Sequence, residues 1–279
     1  MRIIDVHQHL WIGDDGTGWV PSDREGTDLL RGMDENGVEW AVLHAVPTSH
    51  APHCGDNPDV LRAVQAHPDR FIGSVYVNLR DATRSAEALK RYLGEGFRCV
   101  KTLPYLDAVY PDDPACEPVW DLIEEAGAPM LVHTGQLTKA KRHQVHPADS
   151  MCNHPLHLAN VAARHPNVNI IVGHLSRNWF WDAVMLHISH QNLFLEVSTQ
   201  TPQSPAYQFL AEWEAKGPKD RVRVLRLDNH VMFGSDYGAG TLAERIGWWR
   251  AFVEEVGKPQ YLDTFFYATA ARLFGIEAD

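Results

Sequence analysis

Short apolar runs alternate with amphipathic stretches along the whole chain. Eight runs have strand length and character: residues 3–7, 40–44, 71–77, 99–103, 129–133, 168–172, 193–197 and 231–233. They are often β-branched and bounded by Gly, Pro, Asn or Asp. Between them the apolar period lengthens toward 3.6, which predicts helices over 27–36, 58–66, 83–93, 114–126, 155–164, 179–189 and 242–256. A last helix, 260–274, closes the chain. Thr83 is a candidate N-cap, and Pro58 and Pro155 suit a first helical turn. Gly37, Gly94 and Gly127 follow helical runs, as C-terminal caps do. The stretch 200–229 is helical in places but rich in charge, with no clear boundaries. Residues 51–57 and 137–153 read as loops, the second long and polar enough to cover a site.

Eight strands alternating with helices imply a parallel sheet. The count of eight, with near-continuous apolar strands, favours an α/β fold of the (β/α)8 TIM-barrel type as a single domain over residues 1–279. The alternative is an open doubly wound sheet, but no GxGxxG follows the first strand. No internal repeat, low-complexity tract or linker interrupts the pattern.

Composition narrows the function. The 279 residues are 44% hydrophobic and 22% charged, which is globular composition. Lys plus Arg is 25 against 36 Asp plus Glu, a net charge of −11, which argues against a nucleic-acid binder. No apolar run spans a bilayer, and the N-terminus enters strand-like sequence without a secretory h-region. The scattered Cys54, Cys99, Cys116 and Cys152 form no CxxC pair, so the expectation is a cytoplasmic protein with reduced thiols.

Histidine is the outlier, with 16 residues. The first strand ends in Asp5-Val6-His7-Gln8-His9, where alternation points His7 and His9 the same way. Two such imidazoles can bind one metal ion, although an isolated HxH is equally a pair of polar strand-end residues. Three more strand ends carry potential ligands: His133 after the fifth, His174 after the sixth and Asp236 after the eighth. In a parallel barrel all of these converge on one rim.

The motifs IDVHQH (4–9), GFRCVK (96–101), LVHTG (131–135), GHLS (173–176), FGSDY (233–237) and ATAARLFGI (268–276) resemble the amidohydrolase superfamily. The likeness is to its amidohydrolase-2 branch of metal-dependent TIM-barrel hydrolases and non-oxidative decarboxylases. Each motif is modest; their order and spacing over residues 2–276 are specific. The resemblance implies that His7, His9, His133 and Asp236 bind one divalent metal ion, zinc first and manganese second. It implies that Asp236 also carries a proton, and that His174 acts as base or electrostatic stabiliser. Many members of the branch form homodimers, a state no surface pattern in this sequence indicates.

Lys101 lies on the fourth strand, where binuclear members of the superfamily carry a bridging carboxylated lysine. The branch commonly has a lysine in this context and still binds one metal, so the expectation is a single ion with Lys101 as a substrate contact. An ordinary snorkelling or ion-paired lysine is the competing reading. The histidine that often follows closely on this strand in relatives is absent from Lys101-Thr102-Leu103-Pro104.

A divalent ion with an open position lowers the pKa of a bound water. Asp236 then suits proton transfer, and His174 suits a hydrogen bond to the water or the substrate carbonyl. The first expectation is hydrolysis of a lactone, ester or amide in a small carboxylated substrate. The second is non-oxidative decarboxylation of an aromatic or dienoic carboxylate at the same site. A third, from another class, is a barrel that binds metal or ligand without turnover, against which a positioned acid/base beside an open ligand position argues. Trp11, Lys101, Arg177, Trp179 and Tyr237 are the substrate-binding candidates: arginine suits a carboxylate, and tryptophan a planar ring. The HQHxW form of 7–11 is also found in lactonases of the branch, whereas the HTG after strand five is usually missing from them. Arg142, His143, His146, Asn178 and Trp181 lie nearby in sequence. His44 ends the second strand, and Glu196 on the seventh is placed to support the ligands. His50, His53, His67, His165 and His190 read as surface or turn residues.

Overall fold

The computed structural model describes residues 1–13, 23–49, 51, 53–136, 150–216, 225–256 and 258–277. Eight strands run in chain order, β1 (Ile3–Gln8), β2 (Val38–His44), β3 (Phe71–Tyr76), β4 (Cys99–Thr102), β5 (Met130–Val132), β6 (Ile170–Val172), β7 (Leu193–Glu196) and β8 (Val231–Met232). Each pairs in parallel with the next, from β1 to β8 in order. The ring is drawn together where Val6 N–H donates to the Phe233 carbonyl (3.0 Å) and Asp236 N–H to the His7 carbonyl (2.7 Å). The eight-stranded barrel is therefore the observed fold.

The helices are α1 (Thr27–Asn36), α2 (Asn57–Ala66), α3 (Ala82–Gly94), α4 (Pro104–Asp107), α5 (Glu117–Ala126), α6 (His157–Arg164), α7 (Phe180–Ser189), α8 (Pro205–Lys216), α9 (Leu242–Glu255) and α10 (Thr269–Phe274). Helix α8 falls in the charge-rich stretch without clear sequence boundaries. The start of α3 differs from expectation: Asp81, not Thr83, caps it by accepting from Arg84 N–H (3.0 Å). Its short carboxylate reaches the amide three residues on, as an N-cap requires. Gly94 is the last residue of α3, and Glu95 caps it. Gly37 and Gly127 cap α1 and α5 in the left-handed region, as the sequence predicted. The closing helix is interrupted: a 3-10 turn (Pro259–Tyr261) and a π-helical turn (Thr264–Ala268) precede α10.

Inward residues of the strands form a plug of Ile4, Val6, Val42, Ile72, Cys99, Leu131, Ile171, Phe194 and Met232. Tyr267, Ala270, Ala271 and Phe274 of the closing segment pack against it. The outward faces join the helices in a larger apolar layer. Alternation from the plug then sets what stands above it: His44, Ser74, Lys101, His133 and Glu196 each lie two residues beyond a plug residue. These polar groups are buried, so burial orders them against one another instead of against water. No helix among the described residues is long and apolar enough to cross a membrane.

Candidate metal centre

Strand β1 breaks its pairing register with β2 between Asp5 and Gln8. Val6 thus belongs to the plug while His7, the next residue, also reaches the centre. His7 Nε2 lies 3.5 Å from Asp236 Oδ1, and His9 Nε2 lies 3.2 Å from the same oxygen. The two histidines of the HxH pair face one carboxylate.

Asp5 fixes this junction. Its carboxylate accepts from His7 N–H (3.1 Å), the Gln8 amide (3.0 Å), Ser235 N–H (3.0 Å) and the Ser235 hydroxyl (2.6 Å). Burial raises its pKa to about 6 against these hydrogen bonds, which pull it down. The ends of β1 and β8 are tied through one side chain, and Asp236 follows directly after Ser235. Asp236 itself takes a left-handed backbone with φ 67.

The outer nitrogens of the HxH pair are engaged. His7 Nδ1 lies 2.9 Å from Glu196 Oε1, and His9 Nδ1 lies 2.9 Å from the His44 carbonyl. Neither oxygen can donate, so both Nδ1 atoms carry a proton, and Nε2 of each ring is the atom turned toward Asp236. A histidine that ligates a metal through Nε2 holds its other nitrogen this way. At His7 a second observation agrees: Lys101 Nζ, a donor without lone pairs, lies 3.3 Å from Nε2.

Burial pushes the Asp236 carboxyl up, but the facing His7, His9 and His174 rings hold it well below the usual carboxylate range. Burial and the Lys101 charge lower His7. Burial, then His133, drives His174 well below the usual histidine value. The centre thus combines one carboxylate with imidazoles whose basicity burial suppresses at His7 and His174. That donor set fits a borderline divalent ion.

Donor atoms of His7, His174 and Asp236 lie within 4.8 Å of one another. His174 Nδ1 is 3.9 Å from Asp236 Oδ2, and its Nε2 is 3.0 Å from His133 Nδ1. His133 therefore joins the group through His174. Lys101 is buried against His7 inside the barrel, which removes the snorkelling reading. His44 is buried as well, with Nδ1 2.8 Å from the Ser74 hydroxyl and Nε2 2.9 Å from the Val6 carbonyl. Both its nitrogens are used, so it offers no ligand atom.

The rim is shaped by unusual backbone. His174, Leu175, Ser176 and Arg177 have φ of 59, 47, 54 and 50° in succession. Four non-glycine residues in this region carry roughly 1–2 kcal/mol each of steric cost. Gly135 of the HTG motif, at φ +91, makes room: a Cβ there would stand 3.0 Å from the Arg177 side chain and from the Ser176 carbonyl. The Arg177 charge reaches His174, Tyr105 and Tyr237, opposing the upward push of burial on both phenols.

Tyr237 also lies beneath the Arg245 guanidinium, 4.6 Å from its ring centre. Trp11 stacks on His53 (5.5 Å, 5° between planes), with its ring 6.1 Å from that of His9. Its buried indole N–H has no acceptor among the described residues. Trp179 packs on His154, ring centres 4.6 Å apart, at the entry to α7. Trp181 lies against Phe209 and Trp213 of α8. Asn178 accepts from Gln136 N–H (3.1 Å). Arg142, His143, His146 and His50 lie outside the described residues. The C-terminal part of the long polar loop is anchored at the rim, where the Asn153 carbonyl accepts from Gly135 N–H (3.1 Å). His165 is not a surface residue: it is buried, with its two ring nitrogens each 2.9 Å from Glu117 and Glu124 carboxylates.

Sequence reasoning missed three residues near the centre. Tyr105, in the short α4, has its ring 5.1 Å from that of His133. Ser198 Oγ lies 2.7 Å from His174 Nδ1, and the Gln200 amide donates to the His174 carbonyl (2.8 Å). Glu196, Ser198 and Gln200 recur with the same two-residue spacing as the HxH pair, which was the available signal.

A parallel barrel with histidines and a carboxylate gathered at the C-terminal ends of its strands defines the class: a TIM-barrel protein with a candidate metal centre. The chain belongs to the amidohydrolase-2 family, whose model, described as amidohydrolase, matches residues 4–276. No curated protein matches it by sequence. Among solved structures it is similar to an uncharacterised TIM-barrel protein from Bordetella bronchiseptica, with TM-score 0.75, 17% identity and 99% of each chain covered. It is similar to a probable 2-pyrone-4,6-dicarboxylic acid hydrolase from Acinetobacter baumannii with citric acid bound (TM-score 0.66, 16% identity, 99% of this chain and 100% of that one). A third is 5-carboxyvanillate decarboxylase from Novosphingobium aromaticivorans, complexed with manganese and a nitrobenzoic acid (TM-score 0.62, 18% identity, 95% of this chain and 84% of that one). At these identities the likeness is one of fold.

Proposed function

We propose that this chain is a metal-dependent hydrolase that holds one divalent ion through His7, His9, His133 and Asp236 and acts on a lactone, ester or amide of a small carboxylated substrate. The observation that carries the reading is the convergence of the Nε2 atoms of His7 and His9 on one carboxylate oxygen, Asp236 Oδ1. Zinc is the first candidate and manganese, present in the decarboxylase named above, the second. Bound there, the ion supplies a Lewis acid for the substrate carbonyl and a water acidic enough to react at neutral pH.

The chain's own groups do the rest. Asp236 is held ionised, so it accepts the proton of the attacking water and returns it to the leaving oxygen or nitrogen. His174, neutral and beside the second Asp236 oxygen, is a hydrogen-bond partner for the reacting group. Arg177, with Tyr105 and Tyr237 in reach of its charge, binds a substrate carboxylate. Trp11 offers a flat apolar face beside His9 and an indole N–H to a planar ring. Lys101 contacts substrate from the barrel floor.

Decarboxylation is the second reading, because a neutral buried imidazole beside an ionised carboxylate also suits protonation of a ring carbon. One experiment separates the readings. Purified protein and an Asp236→Asn variant are analysed for metal. Both are then screened with lactones and with aromatic and dienoic carboxylates, read for acid release and for CO2. About one ion per chain, with acid release lost in the variant, is expected. CO2 release instead selects the decarboxylase. A bound ion without turnover selects the binding barrel. Absence of metal after growth with zinc or manganese overturns the proposal.

A further inference from the structure

We propose that Glu196, the last residue of β7, and Ser198 just after it are a positioning pair that fixes the proton of both His7 and His174 on Nδ1 and so makes Nε2 of each the accepting atom, turned toward the Asp236 carboxylate's side in His7 and toward His133 in His174. The proposal rests on the metal-centre reading above and assigns two residues that neither bind the ion nor touch substrate.

Glu196 is fully buried. Both its oxygens are held by backbone donors, Oε2 by Ser198 N–H and Oε1 by His174 N–H. An ionised carboxylate only accepts. Its Oε2 accepts from Ser198 N–H (2.7 Å). Its Oε1 faces His7 Nδ1 (2.9 Å), the Ser198 hydroxyl (3.0 Å) and the His174 backbone N–H. His7 Nδ1 must therefore be the protonated nitrogen.

Ser198 has one hydroxyl proton, and it goes to Glu196. Its oxygen, 2.7 Å from His174 Nδ1, is then left to accept. The proton at that contact belongs to His174, and Nε2 of His174 is the basic atom. (The same oxygen lies 3.3 Å from His7 Nδ1, whose proton points to Glu196.) The assignment passes one residue further. His174 Nε2, as acceptor, requires the proton at the 3.0 Å contact to come from His133 Nδ1. That places the His133 lone pair on Nε2, the arrangement a ligand needs. One carboxylate and one hydroxyl thus set three imidazoles. The Lys101 contact at His7 Nε2 gives the same answer from the opposite side of the ring.

The test reads the proton positions directly. Protein labelled with 15N-histidine is examined by long-range 1H–15N correlation, in the full chain, after chelation and again with one equivalent of zinc. Protonated and unprotonated ring nitrogens have distinct shifts and coupling patterns. Nδ1–H forms at His7, His133 and His174 are expected in the chelated protein. In Ser198→Ala, His174 is expected to populate the Nε2–H form while His7 keeps Nδ1–H; Ser198→Thr is expected to restore His174. Zinc affinity and kcat are each expected to fall about 10–100-fold in Ser198→Ala, with KM changing less, and to recover in Ser198→Thr.

An Nε2–H form at His7 or His174 in the wild type overturns the proposal, as does a Ser198→Ala spectrum unchanged at His174. Should Ser198→Ala fail to fold, the wild-type spectrum and Ser198→Thr still decide. The tautomers are read without metal or substrate. Correct tautomers with no zinc bound would overturn the functional reading and leave the positioning role standing.

Discussion

Gly234 leaves open the space that the Glu196 carboxylate fills: a Cβ on Gly234 would stand 2.6 Å from Glu196 Oε2 and 3.0 Å from the His7 Cβ. The glycine of the FGSDY motif thus serves a side chain on another strand. Gly234→Ala is expected to destabilise the protein by about 1–3 kcal/mol through overpacking. It is also expected to lower metal occupancy, because Glu196 must move off His7. Gly247 in α9 has nothing within 4 Å of such a Cβ, so Gly247→Ala is expected to be neutral or stabilising. Urea unfolding and metal analysis of both variants check the pair.

Arg177 is a rim cation whose charge reaches His174. Arg177→Met is expected to raise KM for a carboxylated substrate roughly 10–100-fold, the loss of a charge-assisted hydrogen bond of about 1.5–3 kcal/mol. An analogue with the carboxylate replaced by an amide should lose far less. Equal losses for both substrates would remove Arg177 from carboxylate recognition.

Ser176 sits inside the left-handed run at φ 54, buried, and its hydroxyl has no hydrogen-bond partner among the described residues. Glycine carries no Cβ penalty there and removes the lone hydroxyl. Ser176→Gly is expected to raise stability by about 1 kcal/mol, against a gain in unfolded-state entropy. Thermal unfolding checks this, and a decrease would show that the turn is not strained.

Asp107 is buried and accepts from the Tyr76 hydroxyl (2.6 Å), Leu79 N–H (3.0 Å) and the Thr102 hydroxyl (3.0 Å). Burial outweighs these bonds and raises its pKa from 3.8 to about 6. A carboxyl with a raised folded-state value stabilises the protein below the unfolded value and loses that contribution as pH rises through about 6. The stability difference between wild type and Asp107→Asn is therefore expected to shrink from pH 4 to pH 7. The change is on the order of 3 kcal/mol at most, at 1.36 kcal/mol per unit. Urea unfolding of both proteins across that range checks the sign.

The sequence by itself determined the barrel, since eight apolar runs separated by amphipathic helices admit few parallel arrangements. It also placed the candidate ligands on strand ends, because alternation and strand direction are local rules. His7, His9, His133, His174 and Asp236 were legible for that reason. Only the tertiary structure decided which atoms face one another. The register shift at Asp5–Gln8 brings His7 to the centre although Val6 lines the plug. The left-handed run after β6 aims Arg177, and no periodic pattern encodes four such residues in succession. Glu196 was legible as a residue supporting the ligands, but Ser198 and the contacts both make with His7 and His174 emerge only when the folded ring sets them side by side. A hydrogen bond between residues 189 positions apart, as from His7 to Glu196, follows from closure of the sheet. Sequence periodicity gives the direction of a side chain, whereas the partner it meets there depends on the packing of every strand between.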